Sequence, residues 1–378
     1  MRSLRIFEVL EDTTNFSLPA NLTWRRNLYE PLVEMGHEVF LLSAVEGRRA
    51  MQTHDRTGRS AFSEKLLSLV KAQHARAPLD LFFAYLMDGM VDPEAIDEIR
   101  KIGIPTCNFS CNNAHQFHLV DEISPHFDYS LHAEKLTAEK FRKVGARPIW
   151  WPMASNPNYF YPHQVERDIQ VSFVGANYAL RAQYVLHLLA NGVDVHAFGP
   201  SWVSDWRAML KRYKLALSAT MNVSPKSFYR MSANLADQDL QVFLTSNFPL
   251  NVHQPISDEE LVRLYSRSEV SLGFLEVYDK HDPSRSVIQH LHLREFEAPM
   301  SGALYCTGFS EELSEMFEPD KEVLVYRSKH ELLDKINFTL KHPTFADKIR
   351  LAGRSRALRD HTYQRRFRDL FERIGLWH

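Results

Sequence analysis

The chain has 378 residues, of which 44% are hydrophobic and 24% charged, with 45 Lys and Arg against 47 Asp and Glu for a net charge of −2. At about 150 residues per domain this length means two to three domains, and two is the expectation. The balanced charge excludes a protein that coats nucleic acid through a global basic field, and only 14 glycines exclude collagen-like and linker-rich chains.

The N-terminal Met1–Asp12 stretch turns acidic too soon for a signal peptide. No run reaches the roughly 20 apolar residues that a bilayer demands. Cys107, Cys111 and Cys306 make neither a disulfide framework nor a zinc set. The expectation is a soluble, cytoplasmic protein with reduced thiols.

Along the chain, helical stretches end in Gly and short β-rich runs follow, at Gly36, Gly103, Gly145 and Gly192. Gly just past a helix end takes the left-handed conformation that other residues resist. Repetition of that unit predicts βαβ crossovers and mostly parallel sheets. The first set of strands is expected at Leu4–Leu10, Glu38–Leu42, Leu79–Ala84, Ile104–Phe109, Phe127–Leu131 and Pro148–Trp151. The second is expected at Ile169–Val174, Val193–Phe198, Leu240–Leu244, Val270–Leu275, Ala303–Thr307 and Glu322–Tyr326. Proline and asparagine between Trp151 and Pro162 disfavour helix and sheet interiors, so a linker separates the sets. The expected division is a first Rossmann-like domain over 1–152, a linker over 153–168, a second Rossmann-like domain over 169–355 and a final helix over 356–378. Ser257–Glu260 and Ser328–Glu331 read as capping boxes that open helices. Tyr363, Phe367, Leu370, Phe371 and Ile374 lay one apolar stripe along the last helix.

No G-x-G-x-x-G, P-loop or G-x-S-x-G motif is present, which weighs against classical dinucleotide binding, P-loop hydrolysis and α/β-hydrolase chemistry. His115, His118, His126 and His132 lack the spacing of a helical metal pair, so no metal site is expected. Gly175 ends a strand and Arg181 opens the following helix, a combination able either to grip a phosphate or to make a tight turn with a solvated Arg. Arg294 and Glu297 share a helix face ahead of the small-residue turn at Gly302. As a surface ion pair they would matter little. As a site they offer a diphosphate-binding guanidinium beside a carboxylate that accepts two ribose hydroxyls.

The second half resembles the CgeB-type (spore-maturation) glycosyltransferase-like family, a branch of the GT-B glycosyltransferases. The resemblance rests on Val171–Gly175 with Arg181, Val195–Gly199 with Trp202, Leu293–Ala298 with Gly302, Glu331–Leu333 with Ile336, and Ala352–Arg354 with His361–Tyr363, in that order. It spans roughly residues 165–370, while the first half matches GT-B more loosely, at Gly36–Val39 and Trp151–Ala154. What it implies is an α/β protein of GT-B architecture. Two Rossmann-like domains would face a cleft, and the C-terminal helix would cross back to the N-domain. Donor binding would fall to Gly175, Tyr178, Arg181, Gly199, Gln289, Arg294 and Glu297. The family's related enzymes carry a glutamate pair eight apart, and the first of those positions here is Gln289.

The function expected is metal-independent transfer of a sugar from a nucleotide diphosphate-sugar to a glycan, protein or small-molecule acceptor, with retention favoured by kinship. Arg294 and Glu297 carry the catalytic assignment. His115 and Asp88 are candidates to take the acceptor's proton. A non-catalytic sugar-nucleotide binder and a nucleotide-sugar epimerase or hydrolase remain alternatives on the same fold. Residues 348–368 hold eight Lys and Arg against Asp360 alone, which is either a solvated helical face or a patch for an anionic surface. No nucleic-acid partner is expected.

Overall fold

A computed structural model describes residues 2–11, 22–204, 237–279 and 286–377. Its contacts divide the chain into two compact units. Of the described residues, the first holds those up to Tyr159 together with 360–377, and the second holds the rest, from Phe160 to Arg359.

The first unit is built on six strands: β1 (Arg5–Leu10), β2 (Glu38–Ser43), β3 (Leu81–Ala84), β4 (Thr106–Ser110), β5 (Tyr129–His132) and β6 (Pro148–Trp150). They align in the order β2-β1-β3-β4-β5-β6, every pair parallel. Strands β3 and β4 are buried along their whole length, as parallel strands covered on both faces must be. The longest helix of this unit, Arg56–Arg76, starts at Asp55, whose carboxylate accepts from the Gly58 amide at 3.0 Å.

The last helix, Tyr363–Arg373, belongs to this first unit. Its stripe of Tyr363, Phe367, Leu370 and Phe371 is buried. Phe367 packs edge-on against Phe83 and Trp151, and Phe371 meets His37. Each large apolar side chain so buried contributes about 1.5–3 kcal/mol. Trp151 Nε1 donates to the Arg366 carbonyl at 2.9 Å, and the Arg366 guanidinium donates to the carbonyls of Pro152 and Asp360.

The second unit holds β7 (Ile169–Val174), β8 (Val195–Phe198), β9 (Val252–His253), β10 (Ser268–Leu272), β13 (Tyr305–Gly308) and β14 (Leu324–Tyr326), with a separate antiparallel pair β11 (Glu276–Tyr278) and β12 (Val287–Gln289). The main sheet runs β14-β13-β10-β7-β8-β9, again all parallel. Strand order reverses between β7 and β10, and open α/β sheets bind ligands beyond the carboxyl ends of their strands at such a switch point. The two six-stranded parallel sheets with their helices are the α/β architecture that the sequence implies.

Two local expectations change, and one element appears that the sequence did not announce. Leu240–Leu244 is not a strand but lies inside the helix Asp237–Asn247. Leu240 and Leu244 are buried and Phe243 packs on the same core, an i, i+3, i+4 pattern that short apolar runs share with strands. The edge strand β9 takes its place in the sheet. Ser257 and Glu260 close the reciprocal box, but at the second start Ser328 accepts from Glu331 while the Glu331 carboxylate accepts from the Arg327 amide at 2.8 Å. The two-stranded β11–β12 ladder was not expected at all. The helix ends hold as read: Gly36, Gly103, Gly145 and Gly192 all take φ between 82° and 88°.

Candidate functional site

At the switch point of the second sheet, Gly175 follows β7 and Gly199 follows β8. The Gly175 amide donates to the Phe198 carbonyl at 2.8 Å, and the Gly175 carbonyl accepts from Trp202 Nε1 at 2.6 Å. A Cβ on Gly199 would lie 2.4 Å from the Gly175 oxygen, so only glycine lets the two strand ends approach. A Cβ on Gly175 would lie 2.7 Å from Arg294 Nη2 and 3.2 Å from Arg181 Nη1. Gly175 is therefore the point on which two guanidinium groups converge.

Arg181 is the first residue of the helix Arg181–Ala190, and it is 1% exposed. Nη1 donates to the Ala176 carbonyl at 2.9 Å, and Nη2 donates to the Tyr178 hydroxyl at 2.6 Å. Its Cζ sits 3.7 Å from the centre of the Tyr178 ring, a cation–π contact. Burial pushes the Arg181 pKa down to about 10, with the neighbouring positive charge of Arg294 adding to the effect. Arg294 opens the helix Arg294–Met300, and both guanidinium carbons lie 5.3 Å from the Phe173 ring centre. Among the described residues, Arg181 Nε and Arg294 Nη1 are buried without a hydrogen-bond acceptor. Two cations side by side with unspent donors are electrostatically costly alone and suited to an anion.

Glu297 stands one turn beyond Arg294 on the same helix and is buried. Burial raises the Tyr265 hydroxyl's pKa, and the Glu297 charge raises it further. Gln289 is exposed on β12, opposite Glu276, and its amide donates to the Phe309 carbonyl at 3.0 Å. The second unit thus gathers Gly175, Tyr178, Arg181, Gly199 and Arg294 at one edge, with Glu297 along the Arg294 helix. Gln289 has its own backbone partner beyond that group.

Sequence reasoning did not single out Glu295 or His292. Glu295 is fully buried, and its carboxylate accepts from the His292 amide and from the Tyr305 hydroxyl at 2.9 Å. Burial raises its pKa. His292 Nε2 lies 3.1 Å from Arg181 Nη2 and 3.2 Å from the Tyr178 hydroxyl. The available signal was the His290-Leu291-His292 alternation just ahead of Arg294, together with the i, i+3 pairing of Tyr178 and Arg181.

In the first unit, Asp88 lies in the turn after β3 and both its oxygens accept from backbone amides, of Glu122 at 3.1 Å and of Ile123 at 2.8 Å. Burial nonetheless raises its pKa to about 7. His115 is half-buried on the short helix Asn113–Gln116 after β4. The basic stretch does not form one solvated face. Arg350 is buried against Glu269 and Asp347, Arg356 donates to the Met316 carbonyl at 2.7 Å, and Arg366 is spent on backbone carbonyls. Among the described residues no three His, Cys, Asp or Glu side chains gather as a metal set, and no helix is long and apolar enough to cross a membrane.

A family model described as glycosyl transferase-like matches residues 180–372. Sucrose-phosphate synthase from Thermosynechococcus elongatus superposes with a TM-score of 0.58 at 13% identity, over 99% of this chain and 100% of that one. HepE from Anabaena, in complex with UDP and glucose, gives 0.58 at 11% identity over 99% and 100%. AviGT4, a glycosyltransferase involved in avilamycin A biosynthesis, gives 0.55 at 15% identity over 98% and 96%. No curated protein matches the sequence. At these identities the structural likeness is one of fold, and the fold is GT-B.

Proposed function

The chain belongs to the glycosyl transferase-like family, whose model covers just over half of it, and on that premise we propose that its donor is a nucleoside diphosphate-sugar held at the carboxyl edge of the second sheet. The protein is a glycosyltransferase. The observation that carries the donor assignment is the convergence of Arg181 and Arg294 on Gly175, each with a buried donor nitrogen unspent. The likeness to HepE, which was crystallised with UDP and glucose, supports a nucleotide-sugar. Within the family, the order of the motifs from Val171 to Tyr363 supports the CgeB-type branch.

In this reading the diphosphate lies over Gly175, where no side chain intervenes. Arg294 and Arg181 donate to its oxygens, and charge-assisted bonds of this kind contribute about 1.5–3 kcal/mol each. They act where negative charge grows as the sugar–phosphate bond breaks, which is how fixed donors lower a barrier. Glu297 takes the two ribose hydroxyls with its two oxygens. The leaving diphosphate is then neutralised by guanidinium groups, and we propose that no metal is required and that configuration at the sugar is retained. The acceptor, a glycan, protein or small molecule, is assigned to the first unit, where His115 and Asp88 are the candidates to be tested as its base. An anionic surface remains the partner proposed for the exposed part of the 348–368 segment, in a cytoplasmic setting.

The test is calorimetry of UDP-, ADP- and GDP-glucose on the folded protein, with and without chelator, followed by the anomeric configuration of the product by NMR. Binding of one donor unaffected by chelation is expected. Absence of binding by all three would remove the donor assignment, and loss on chelation would remove the metal-free mechanism.

A further inference from the structure

Arg181 is held by four acceptors: the carbonyls of Ala176 and Phe274, the Tyr178 hydroxyl and His292 Nε2. The two carbonyls accept at every pH. The imidazole does so only while Nε2 keeps its lone pair.

A guanidinium is a donor only and never loses its proton under ordinary conditions. With the donor-only Arg181 Nη2 at 3.1 Å, Nε2 is its acceptor, which takes a neutral imidazole with its proton on Nδ1. The surroundings favour that tautomer. Nδ1 lies 3.9 Å from Glu295 Oε2, a buried carboxylate that also accepts from the His292 amide and so pins the backbone beneath the ring. The groups facing His292 are Arg181 and Tyr178 across the Gly175 turn, and His290 and Glu295 on its own segment, with Arg294 one residue beyond Leu293. The His290 ring packs 4.0 Å away, tilted by 53°.

We propose that His292 is a positioning residue for donor binding, its neutral imidazole accepting from Arg181 and thereby aiming the Arg181 guanidinium at Gly175. This rests on the reading that Arg181 binds the donor diphosphate. Protonation of His292 removes the lone pair and sets an N–H against the N–H groups of Arg181. The acceptor is lost, a like charge appears, and the guanidinium no longer points at the phosphates. Donor affinity then falls on acidification. Gln at this position carries an amide oxygen close to where Nε2 stands and accepts at any pH. Phe fills the space and accepts nothing.

The experiment measures the Kd of the tightest of UDP-, ADP- and GDP-glucose from pH 5.5 to 8 for wild type, His292→Gln, His292→Phe and Arg181→Lys, with melting temperature in parallel. These sugar diphosphate diesters carry no titrating phosphate in that range, so a slope reports the protein. Wild type is expected to lose about tenfold in affinity from pH 8 to 5.5, as the net worth of a hydrogen bond to a charged group implies. His292→Gln is expected to bind like wild type at pH 8 with no acid loss. His292→Phe is expected to be about tenfold weaker at pH 8 and flat below. Should Arg181→Lys bind weakly while His292→Phe binds like wild type, or should His292→Gln keep the wild-type slope, the positioning role is overturned and the donor site stands. Should wild type bind none of the three, the donor reading itself is overturned and His292 falls with it. A melting-temperature drop confined to His292→Phe leaves His292→Gln to decide.

Discussion

The carboxyl edge of the first sheet and that of the second are built from the same kind of strand ends, yet they use their polar groups differently. In the first unit several polar side chains around β3 and β4 hold the unit's own backbone. Asp88 takes the amides of Glu122 and Ile123, and Asn108 exchanges hydrogen bonds with the Leu86 backbone. The Glu134 carboxylate accepts from the Ala114 amide, and Lys140 donates to the carbonyls of Asn113 and Ala114. In the second unit Arg181 and Arg294 meet at Gly175 with buried nitrogens left over. One edge spends its hydrogen bonds on holding loops, and the other keeps charge in hand. A diphosphate is a fixed chemical demand that a site must answer with cations, whereas an acceptor of any class can be met by loops of many designs.

The sharpest way to break this contrast is at the arginines. Arg294→Lys keeps the charge but loses the planar fork, and donor binding is expected to fall roughly 10- to 150-fold for a charge-assisted bond of about 1.5–3 kcal/mol. Arg181→Lys is expected to behave similarly, with a larger loss of melting temperature because Arg181 also satisfies two carbonyls. Unchanged donor affinity in folded Arg294→Lys, measured by calorimetry, would show that the leftover donors answer no ligand and that the two edges do not differ as described. Glu297→Gln keeps the size of the side chain and loses the charged two-oxygen grip. An effect of about tenfold on donor affinity is expected with the fold intact; a fall in melting temperature alone would make Glu297 a packing residue.

Gly175→Ala tests the geometry without touching a charge. A methyl group there would lie 2.7 Å from Arg294 Nη2 and must move it, at a position whose φ is 155°. Arg294 ends a flexible side chain, so the protein is expected to fold with donor affinity reduced about threefold to tenfold, within the cost of an off-position charged hydrogen bond. Wild-type affinity in Gly175→Ala would mean that the guanidinium need not stand where it does.

Much of this contrast was written in the sequence, and unevenly so. Eleven of the twelve expected sheet strands lie where turn signals and apolar runs put them, because a buried parallel strand bounded by Gly or Pro has few alternatives. The Leu240–Leu244 run was misread because five residues do not separate a period of 2 from one of 3.6. Gly175, Arg181 and Arg294 were legible because a glycine at a strand end and arginines at helix starts are local signals. Glu295 and His292 were not. Their meaning comes from Tyr305, Tyr178 and Arg181, which are 10 to 114 residues away in the chain. The basic count over 348–368 misled in the opposite direction, since Arg350 and Arg366 are buried members of two different units. Composition records a charge but not whether a carboxylate or a carbonyl already holds it.

Asp88 allows the first edge to be tested as a clamp. Its pKa is raised to about 7 in the fold, chiefly by burial, against an ordinary value near 3.8. A raised acid pKa means that the folded state holds its proton more tightly than the unfolded chain, so this residue's contribution to stability falls as pH rises from about 4 to 7. Asp88→Asn is expected to flatten that part of the melting-temperature profile and to change turnover by no more than a few fold. A collapse of turnover with the melting temperature unmoved would make Asp88 the proton acceptor and give the first edge its own unspent group.

The smallest effect is expected at His115. It follows β4 on a helix of four residues, in a segment fixed by neighbours: the Asn113 side chain donates to the Ser110 carbonyl at 3.0 Å, and Lys140 and Glu134 hold the backbone of the residues just before it. Removing an imidazole from so well-tied a turn leaves the turn in place, so His115→Ala should fold with a melting temperature within a few degrees of wild type. Turnover then isolates the chemistry. General base catalysis is worth about 10²- to 10⁴-fold, far more than the loss of a polar loop contact. A change of threefold or less at saturating donor is expected, and it would mean that neither candidate of the first edge takes the proton. A loss of a hundredfold, with the pH–rate profile losing its limb near the imidazole range, would instead place the base on the short helix after β4. It would also show that an edge where Asp88, Asn108, Glu134 and Lys140 all hold backbone can still reserve one group for chemistry.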